Sequence, residues 1–361
     1  MEKQFKIYHG YAQLIGMTSY RIVNGKCIQS RITQAYALVW NIGTIVTLAW
    51  MFWCAGTDMM RSSWFPETMS MVPLVLYSVN YAVIVYVLIF RSYRDSLFSD
   101  LVDITDQLNR KMELAERKTI LKLRKLLYLK SFTLTYLNLG SFLSFLFLKD
   151  RFLEAIIIGV AYSILNTSNY FYFTSFWQIA RGYDFVDCEI RNLTSFKSGS
   201  NVNDFSEVLQ DLWSFHWTLS LMARRISRVY GVHMLVSRTE YVLFAVVYGY
   251  VGIIFLFQGM SLMLIHAGLI YFIRALDFFL NDVICDLTAR YQSYPKHELI
   301  EGVINQKAVE YRFSAYLIYE SSMRLDLCGL YLPSKARWLK MMGVVACNAI
   351  LLLQFDLTLS R

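Results

Sequence analysis

The chain has 361 residues, 56% of them hydrophobic and 17% charged, and its formal net charge at pH 7 is +8. Its mean hydropathy of +0.38 excludes an ordinary soluble protein, because the apolar residues form blocks long enough to cross a bilayer as helices. The positive charge would suggest a nucleic-acid partner in a soluble domain, but here it indicates loops on the cytoplasmic side of a membrane.

Seven stretches are predicted to cross the membrane. They lie at residues 35–54, 71–90, 126–148, 152–179, 242–260, 261–280 and 338–357. The fourth is longer than a bilayer requires, so we expect it to continue as a helix beyond Arg181. The fifth and sixth need a tight break near Gly259, because one undivided apolar run would have to tilt too far. The fold class is therefore all-α, a polytopic membrane protein with seven transmembrane helices.

The orientation follows from the basic residues. Lysine and arginine are concentrated in the N-terminal tail and in the long segments after the second, fourth and sixth spans. The segments on the other side carry few of them. The positive-inside rule then places the N-terminus in the cytoplasm and the C-terminus outside, the reverse of a G-protein-coupled receptor.

The long segments on the predicted cytoplasmic side are patterned as helices. Residues 92–130 combine helical periodicity with basic clusters, and residues 306–330 carry apolar residues at helical spacing. A third stripe consists of Phe205, Val208, Leu212, Phe215, Leu219, Met222, Ile226 and Val229. We expect helical cytoplasmic extensions that bury these stripes between copies of the chain. Helices lying on the membrane surface are the alternative.

The last span is unusual because it carries two carboxamides, Asn348 and Gln354, inside an apolar run. Such groups within a membrane helix usually face protein or a water-filled path. Gln354 could form an interhelical hydrogen bond, which contributes on the order of 1 kcal/mol. It could also belong to a polar ring around a pore where several copies of the chain meet.

A resemblance bears on this choice. Residues 351–355, three leucines followed by Gln354 and Phe355, resemble the end of the insect gustatory receptor signature, which reads Thr-Tyr, five apolar residues, then Gln-Phe. Cys347 and Asn348 stand where Thr-Tyr is expected, but the spacing of five apolar residues is intact. Residues 328–331 (Cys-Gly-Leu-Tyr) and 219–235 are also similar to that family. The resemblance implies a tetrameric, ligand-gated cation channel whose pore is lined by this last helix.

If four last helices meet at an axis, one face of each lines the pore. The predicted pore residues are Gln354, Leu351, Ile350, Cys347 and Phe355, with Gly343 further along the same face. Apolar rings can block ions by dewetting, and a carboxamide ring offers donors and acceptors to a partly hydrated cation. Such a pore should discriminate poorly among small cations. The alternative is that this face packs within its own subunit.

Tyrosines and a few polar groups indicate a ligand pocket that opens outward between the helices. The predicted ligand-binding residues are Tyr77, Tyr81, Tyr162, Asn166, Tyr170, Tyr248 and His266. A largely aromatic pocket with a few hydrogen-bonding groups suits a small organic tastant. For each residue, ordinary packing or an interhelical hydrogen bond is the alternative. Near the inner end of the sixth span, Arg274 and Asp277 are spaced to pair on one helix face.

Nothing in the chain predicts catalysis or a metal site. The five histidines and six cysteines lack the spacing of a metal site, and no nucleophile–base pair or phosphate loop is present. We therefore expect no enzyme, no metal and no cofactor. We treat 1–361 as a single domain, with a six-helix ligand-binding bundle at 35–280 and a cytoplasmic anchor helix and pore helix at 306–361.

The expected function is that of a gustatory receptor, a nonselective cation channel opened by a small organic tastant, with bitter compounds preferred. The expected partners are the tastant, membrane lipid and other gustatory receptors in a homo- or heterotetramer, but no nucleic acid. The expected location is the plasma membrane of gustatory receptor neurons. A G-protein-coupled receptor, a secondary transporter and an auxiliary subunit of a mixed channel are the alternatives. The charge distribution opposes the first, and intramembrane ionisable residues are too few for the second.

Overall fold

The computed structural model describes residues 2–23, 26–61, 71–149, 152–195, 202–258, 262–301 and 327–359. These residues are almost entirely helical, which agrees with the predicted all-α class. The elements are α1 Glu2–Leu14, β1 Tyr20–Val23, β2 Lys26–Gln29, α2 Arg31–Arg61, α3 Val72–Ile89, α4 Arg91–Leu114, α5 Leu121–Lys149, α6 Phe152–Ser195, α7 Val202–Gln258, α8 Leu262–Glu301 and α9 Lys335–Leu359.

Each predicted span coincides with a helix or with part of one. The described residues contain three helices that are long and apolar enough to cross a membrane by composition alone, at Arg31–Asp58, Val72–Ile89 and Lys335–Phe355. The other four predicted spans are the apolar parts of α5, α6, α7 and α8. α7 is described up to Gln258 and α8 from Leu262, so the expected break near Gly259 lies outside the described residues.

Helix α6 forms the centre of the packed bundle. It packs against α5, α7 and α8 and continues without interruption past Arg181 to Ser195, as its length predicted. Phe173, Phe176 and Ile179 are completely buried. The core of the subunit therefore follows α6 along its length.

The apolar stripe at the start of α7 is buried inside the chain itself. Leu212, Phe215, Leu219, Met222 and Ile226 are all buried, whereas Val208 is exposed. Leu219 reaches α6 at Gly182, where an added Cβ would lie 2.7 Å from a Leu219 methyl group. The expectation of burial between copies of the chain is therefore wrong for these five residues, because they are already buried within the subunit.

Of the other two segments predicted as cytoplasmic helices, the structure divides one and describes only the end of the second. The segment 92–130 is two helices, because α4 ends at Leu114 and Glu116 has a left-handed backbone with φ of 51°. The segment 306–330 lies outside the described residues except for its last four, which form a turn closed by a bridge between Leu327 and Tyr331.

The small hairpin β1–β2 was not predicted. Its strands pair antiparallel, with Tyr20 opposite Gln29. Tyr20 stacks on His9 of α1 at a centroid distance of 4.8 Å, and His9 stacks on Phe98 of α4 at 5.6 Å. The hairpin is thus held by aromatic contacts with two helices, and such contacts are not visible in a four-residue sequence pattern.

Candidate pore and ligand-binding sites

Helix α9 has one buried face and one exposed face. Trp338, Val345 and Ala349 are buried against the subunit, and Met341 and Met342 are partly buried beside them. The closest approach is to α7, where an added Cβ on Gly249 would lie 3.1 Å from the Ala349 Cβ. Small residues at this point therefore let two helices approach closely, as is common between membrane helices.

The predicted pore residues all lie on the exposed part of α9. Ile350, Leu351 and Phe355 are 51%, 58% and 66% exposed, and Cys347 and Gln354 are exposed as well. An added Cβ on Gly343 would meet nothing within 4 Å. These residues are therefore largely exposed in the single subunit, although Leu351 and Phe355 also line a groove beside α3 and α7. Their assignment to a pore stays a prediction.

The Asn348 carboxamide of α9 has a hydrogen-bond partner in its own helix. The Asn348 Nδ2 donates to the Val344 carbonyl oxygen at 2.9 Å, one turn earlier in the same helix. Asn348 lies on a different side of the helix from Gln354, because six residues at 100° each leave them far apart around the axis. The two carboxamides of the span therefore have different surroundings.

The start of α9 is anchored by a buried ion pair. Arg238 of α7 donates two hydrogen bonds to the Asp282 carboxylate of α8, at 2.9 and 2.5 Å. The Tyr331 hydroxyl, just before α9, donates to Asp282 at 2.7 Å, and its ring stacks on the Arg238 guanidinium at 4.1 Å. Trp338 continues the stack, with its ring 5.8 Å from that of Tyr241. This arrangement fixes where the exposed helix enters the bundle.

The ion pair predicted within α8 is wrong. Arg274 Nη2 lies 2.8 Å from Glu240 Oε2 of α7, and Asp277 Oδ1 lies 2.7 Å from Lys130 Nζ of α5. The Thr133 hydroxyl also donates to Asp277, at 2.7 Å. Each charge therefore finds its partner on another helix, where pairing lowers the cost of leaving it at membrane depth.

Two predicted ligand residues lie near one aromatic side chain, and a third contacts the same helix, α2. Phe52 of α2 has its ring 5.2 Å from that of Tyr77 in α3 and 6.5 Å from that of Tyr162 in α6. Tyr81, one turn after Tyr77, donates its hydroxyl to the Ile45 carbonyl oxygen at 3.3 Å. Sequence analysis did not select Phe52, since nothing distinguishes it from the many other phenylalanines.

Two of the remaining ligand candidates have partners on other helices. The Asn166 amide donates to Asn138 of α5 at 3.0 Å, so it serves as an interhelical hydrogen bond. Tyr170 lies about 12 Å along α6 from Tyr162, at 1.5 Å per residue. It is buried against the Tyr8 ring at 4.7 Å. His266 is half-buried on α8, and the side chain of Tyr248 lies outside the described residues.

The structure shows a large groove that sequence analysis missed. It has a volume of about 1020 Å³ and lies between α3, α7 and α9. Its lining includes Val75, Val79, Leu243, Val247, Leu351 and Phe355, with the polar groups Glu240 and Asn348. Residues four apart on α3 and α7 form two of its walls, but that spacing equally indicates ordinary core packing. Its described lining includes none of the predicted ligand-binding residues.

Comparisons with known proteins agree with this architecture. A family model described as the 7tm chemosensory receptor matches residues 5–359. A putative gustatory receptor 59b of Drosophila erecta is 38% identical over 304 residues, 81% of this chain and 51% of the relative. The chain thus spans about half the length of that relative. The olfactory receptor OR5 of the insect Machilis hrabei matches 98% of both chains with a TM-score of 0.68 and 13% identity, which shows a shared fold.

Proposed function

The chain belongs to the 7tm chemosensory receptor family, and from this premise we propose that it is a gustatory receptor, a nonselective cation channel opened by a small organic tastant. The family is one of membrane receptors, so an enzyme is excluded. The proposed location is the plasma membrane of gustatory receptor neurons, with the N-terminus in the cytoplasm. Bitter compounds are the proposed tastants.

The observation that carries the channel proposal is the unpacked face of α9. A membrane helix that turns Gln354 and Cys347 away from its own subunit needs other surroundings for them. In a tetramer with α9 at the axis, this face lines the pore. Gln354 then forms a carboxamide ring near the outer end, with rings of Leu351 and Ile350 below it. The apolar rings close the pore by dewetting, and separation of the helices lets it wet.

We place the tastant among α2, α3 and α6, where Phe52 is flanked by Tyr77 and Tyr162 and Tyr81 reaches the backbone of α2 at Ile45. These aromatic side chains supply a mostly apolar surface with a few hydroxyl groups. The tastant opens the channel only to the extent that it binds the open state more tightly than the closed one. In this arrangement the tastant binds among α2, α3 and α6, and the ions pass through the pore lined by α9.

Replacement of Gln354 by alanine tests the pore. It should change single-channel conductance or the permeability ratio of sodium to potassium several-fold while surface expression is retained. The matched control is Asn348→Ala, which removes a carboxamide from the same helix but from another side. Currents should be recorded in excised patches without nucleotides, where a G-protein-coupled receptor gives none. Unchanged permeation in Gln354→Ala would remove Gln354 from the pore.

A further inference from the structure

Between α4, α6 and α7 lies a buried arginine that is only partly hydrogen-bonded. Arg94 is 9% exposed, and its Nη1 donates to the Ser168 hydroxyl at 3.4 Å, a long bond. Its Nε and Nη2 have no hydrogen-bond partner among the described residues. The neighbouring carboxylate, Asp95, instead accepts from the backbone N–H and hydroxyl of Ser19 at 3.0 and 2.7 Å.

Next to Arg94, Ser168 and His233 bring one more unsatisfied nitrogen to this place. The Ser168 hydroxyl can accept from Arg94 and donate its own proton to His233 Nδ1, 3.4 Å away. A histidine that accepts at Nδ1 carries its proton on Nε2. His233 is 2% exposed, and its Nε2 has no partner within the described chain. Burial, together with the charge of Arg94, lowers the pKa of His233 to about 3, so the ring is neutral at physiological pH.

We propose that Arg94, Ser168 and His233 form a buried binding site for a small monovalent anion such as chloride. The unsatisfied groups are all N–H donors, and an anion is a pure acceptor. The Nε–H and Nη2–H groups point in parallel from one edge of the guanidinium, the geometry that holds an anion with two hydrogen bonds. A buried cation without a hydrogen-bonded counter-charge is costly, and an anion removes that cost.

The burial of the site limits the size of the occupant. Arg94, Ser168 and His233 are each at least nine-tenths buried, which excludes a lipid headgroup or a large organic acid. A water molecule would bring two protons of its own to a place where the unsatisfied groups already donate. Tyr230 is a buried neighbour of Arg94 and its phenol is neutral, so its hydroxyl is the competing intramolecular acceptor.

The test uses the full chain purified in detergent and measures its thermal unfolding midpoint as sodium gluconate is replaced by sodium chloride at constant ionic strength. We expect the midpoint to rise and then saturate with chloride, bromide or nitrate, but not with gluconate. The variant Arg94→Gln should lose this response. The matched control Arg110→Gln should retain it, because Arg110 lies on the same helix, exposed and paired with Asp106.

A second measurement covers the case in which Arg94→Gln does not fold. Binding of radioactive chloride to the wild-type chain should saturate near one ion per chain, and Ser168→Ala should raise the half-saturating concentration several-fold. No saturable binding by the wild type overturns the proposal and leaves Tyr230 or water as the partner of Arg94. An equal thermal response in Arg94→Gln identifies a general salt effect and also overturns it. Neither measurement involves gating, so the result is independent of the proposed channel function.

Discussion

Helices α6 and α9 are both predicted to cross the membrane, yet they expose very different surfaces. In α6, Phe173, Phe176 and Ile179 have no exposed area. In α9, Ile350 and Phe355 are more than half exposed, and the buried residues are confined to one narrow face. One helix is the core of the subunit, and the other is attached to its side.

The apolar character of a helix therefore does not decide its burial here. α9 exposes aliphatic residues, whereas α6 buries serines, threonines and tyrosines between Ser163 and Tyr183 together with its apolar residues. In a membrane the lipid is as apolar as leucine, so there is no hydrophobic force that drives aliphatic residues inward. Polar groups need protein partners and therefore collect inside the bundle.

The ion pair at the junction of the two regions gives the largest expected effect. Asp282→Leu leaves Arg238 buried without its partner and should lower the free energy of unfolding by about 4 kcal/mol, as expected for a broken buried pair. An SDS unfolding titration of the purified chain measures this. The control is Asp286→Asn in the next turn of α8, whose partner Arg290 is largely exposed, so the loss should be below about 1 kcal/mol. Equal losses would show that the Arg238–Asp282 pair does not join α9 to the core.

The same isoleucine truncation in the two helices tests the comparison directly. Ile179→Ala in α6 removes a fully buried side chain and should cost about 2–5 kcal/mol of unfolding free energy. Ile350→Ala in α9 should cost less than about 0.5 kcal/mol, because its side chain is 51% exposed. Both are measured by the same titration on monomeric chain. A large loss in Ile350→Ala would show that α9 is part of the subunit core.

The smallest expected effect is a pH dependence of stability caused by His233, which lies in the packed bundle. His233 has a pKa of about 3 when folded and about 6.5 when unfolded, so the unfolded state binds the proton first. Stability is therefore complete above pH 6.5 and falls as the pH is lowered, by at most about 1.4 kcal/mol per pH unit. In unfolding titrations between pH 7 and 5, the stability of His233→Gln should decline less steeply than that of the wild type. The stability of the control Gln354→Ala should decline as steeply as that of the wild type. Parallel curves for His233→Gln and the wild type would exclude this contribution.

Sequence patterns identified the features that depend on neighbouring residues. The apolar stretches located the helices, and the excess length of the fourth span predicted that α6 continues past Arg181. The three-and-four spacing on the last span selected a set of residues that are all exposed together. Periodicity of this kind needs no information about distant parts of the chain.

Contacts between distant residues escaped this reasoning. The pairs Lys130–Asp277 and Glu240–Arg274 join different helices, so the close spacing of Arg274 and Asp277 predicted the wrong partners. The stripe starting at Phe205 was correctly identified as helical, but the sequence did not show that five of its residues are buried within the subunit. The aromatic cluster around Phe52 and the groove beside α9 also depend on which helices are neighbours.

By itself the sequence determined the helical class, the positions of the spans and the face of α9 that carries Gln354, because hydropathy and helical periodicity are local properties. The packing of the helices sets which helix is central, which charges pair and which donors of Arg94 stay unsatisfied. Those outcomes depend on distances between residues far apart in the chain, and the free energy of a buried charge is set by the atoms that surround it.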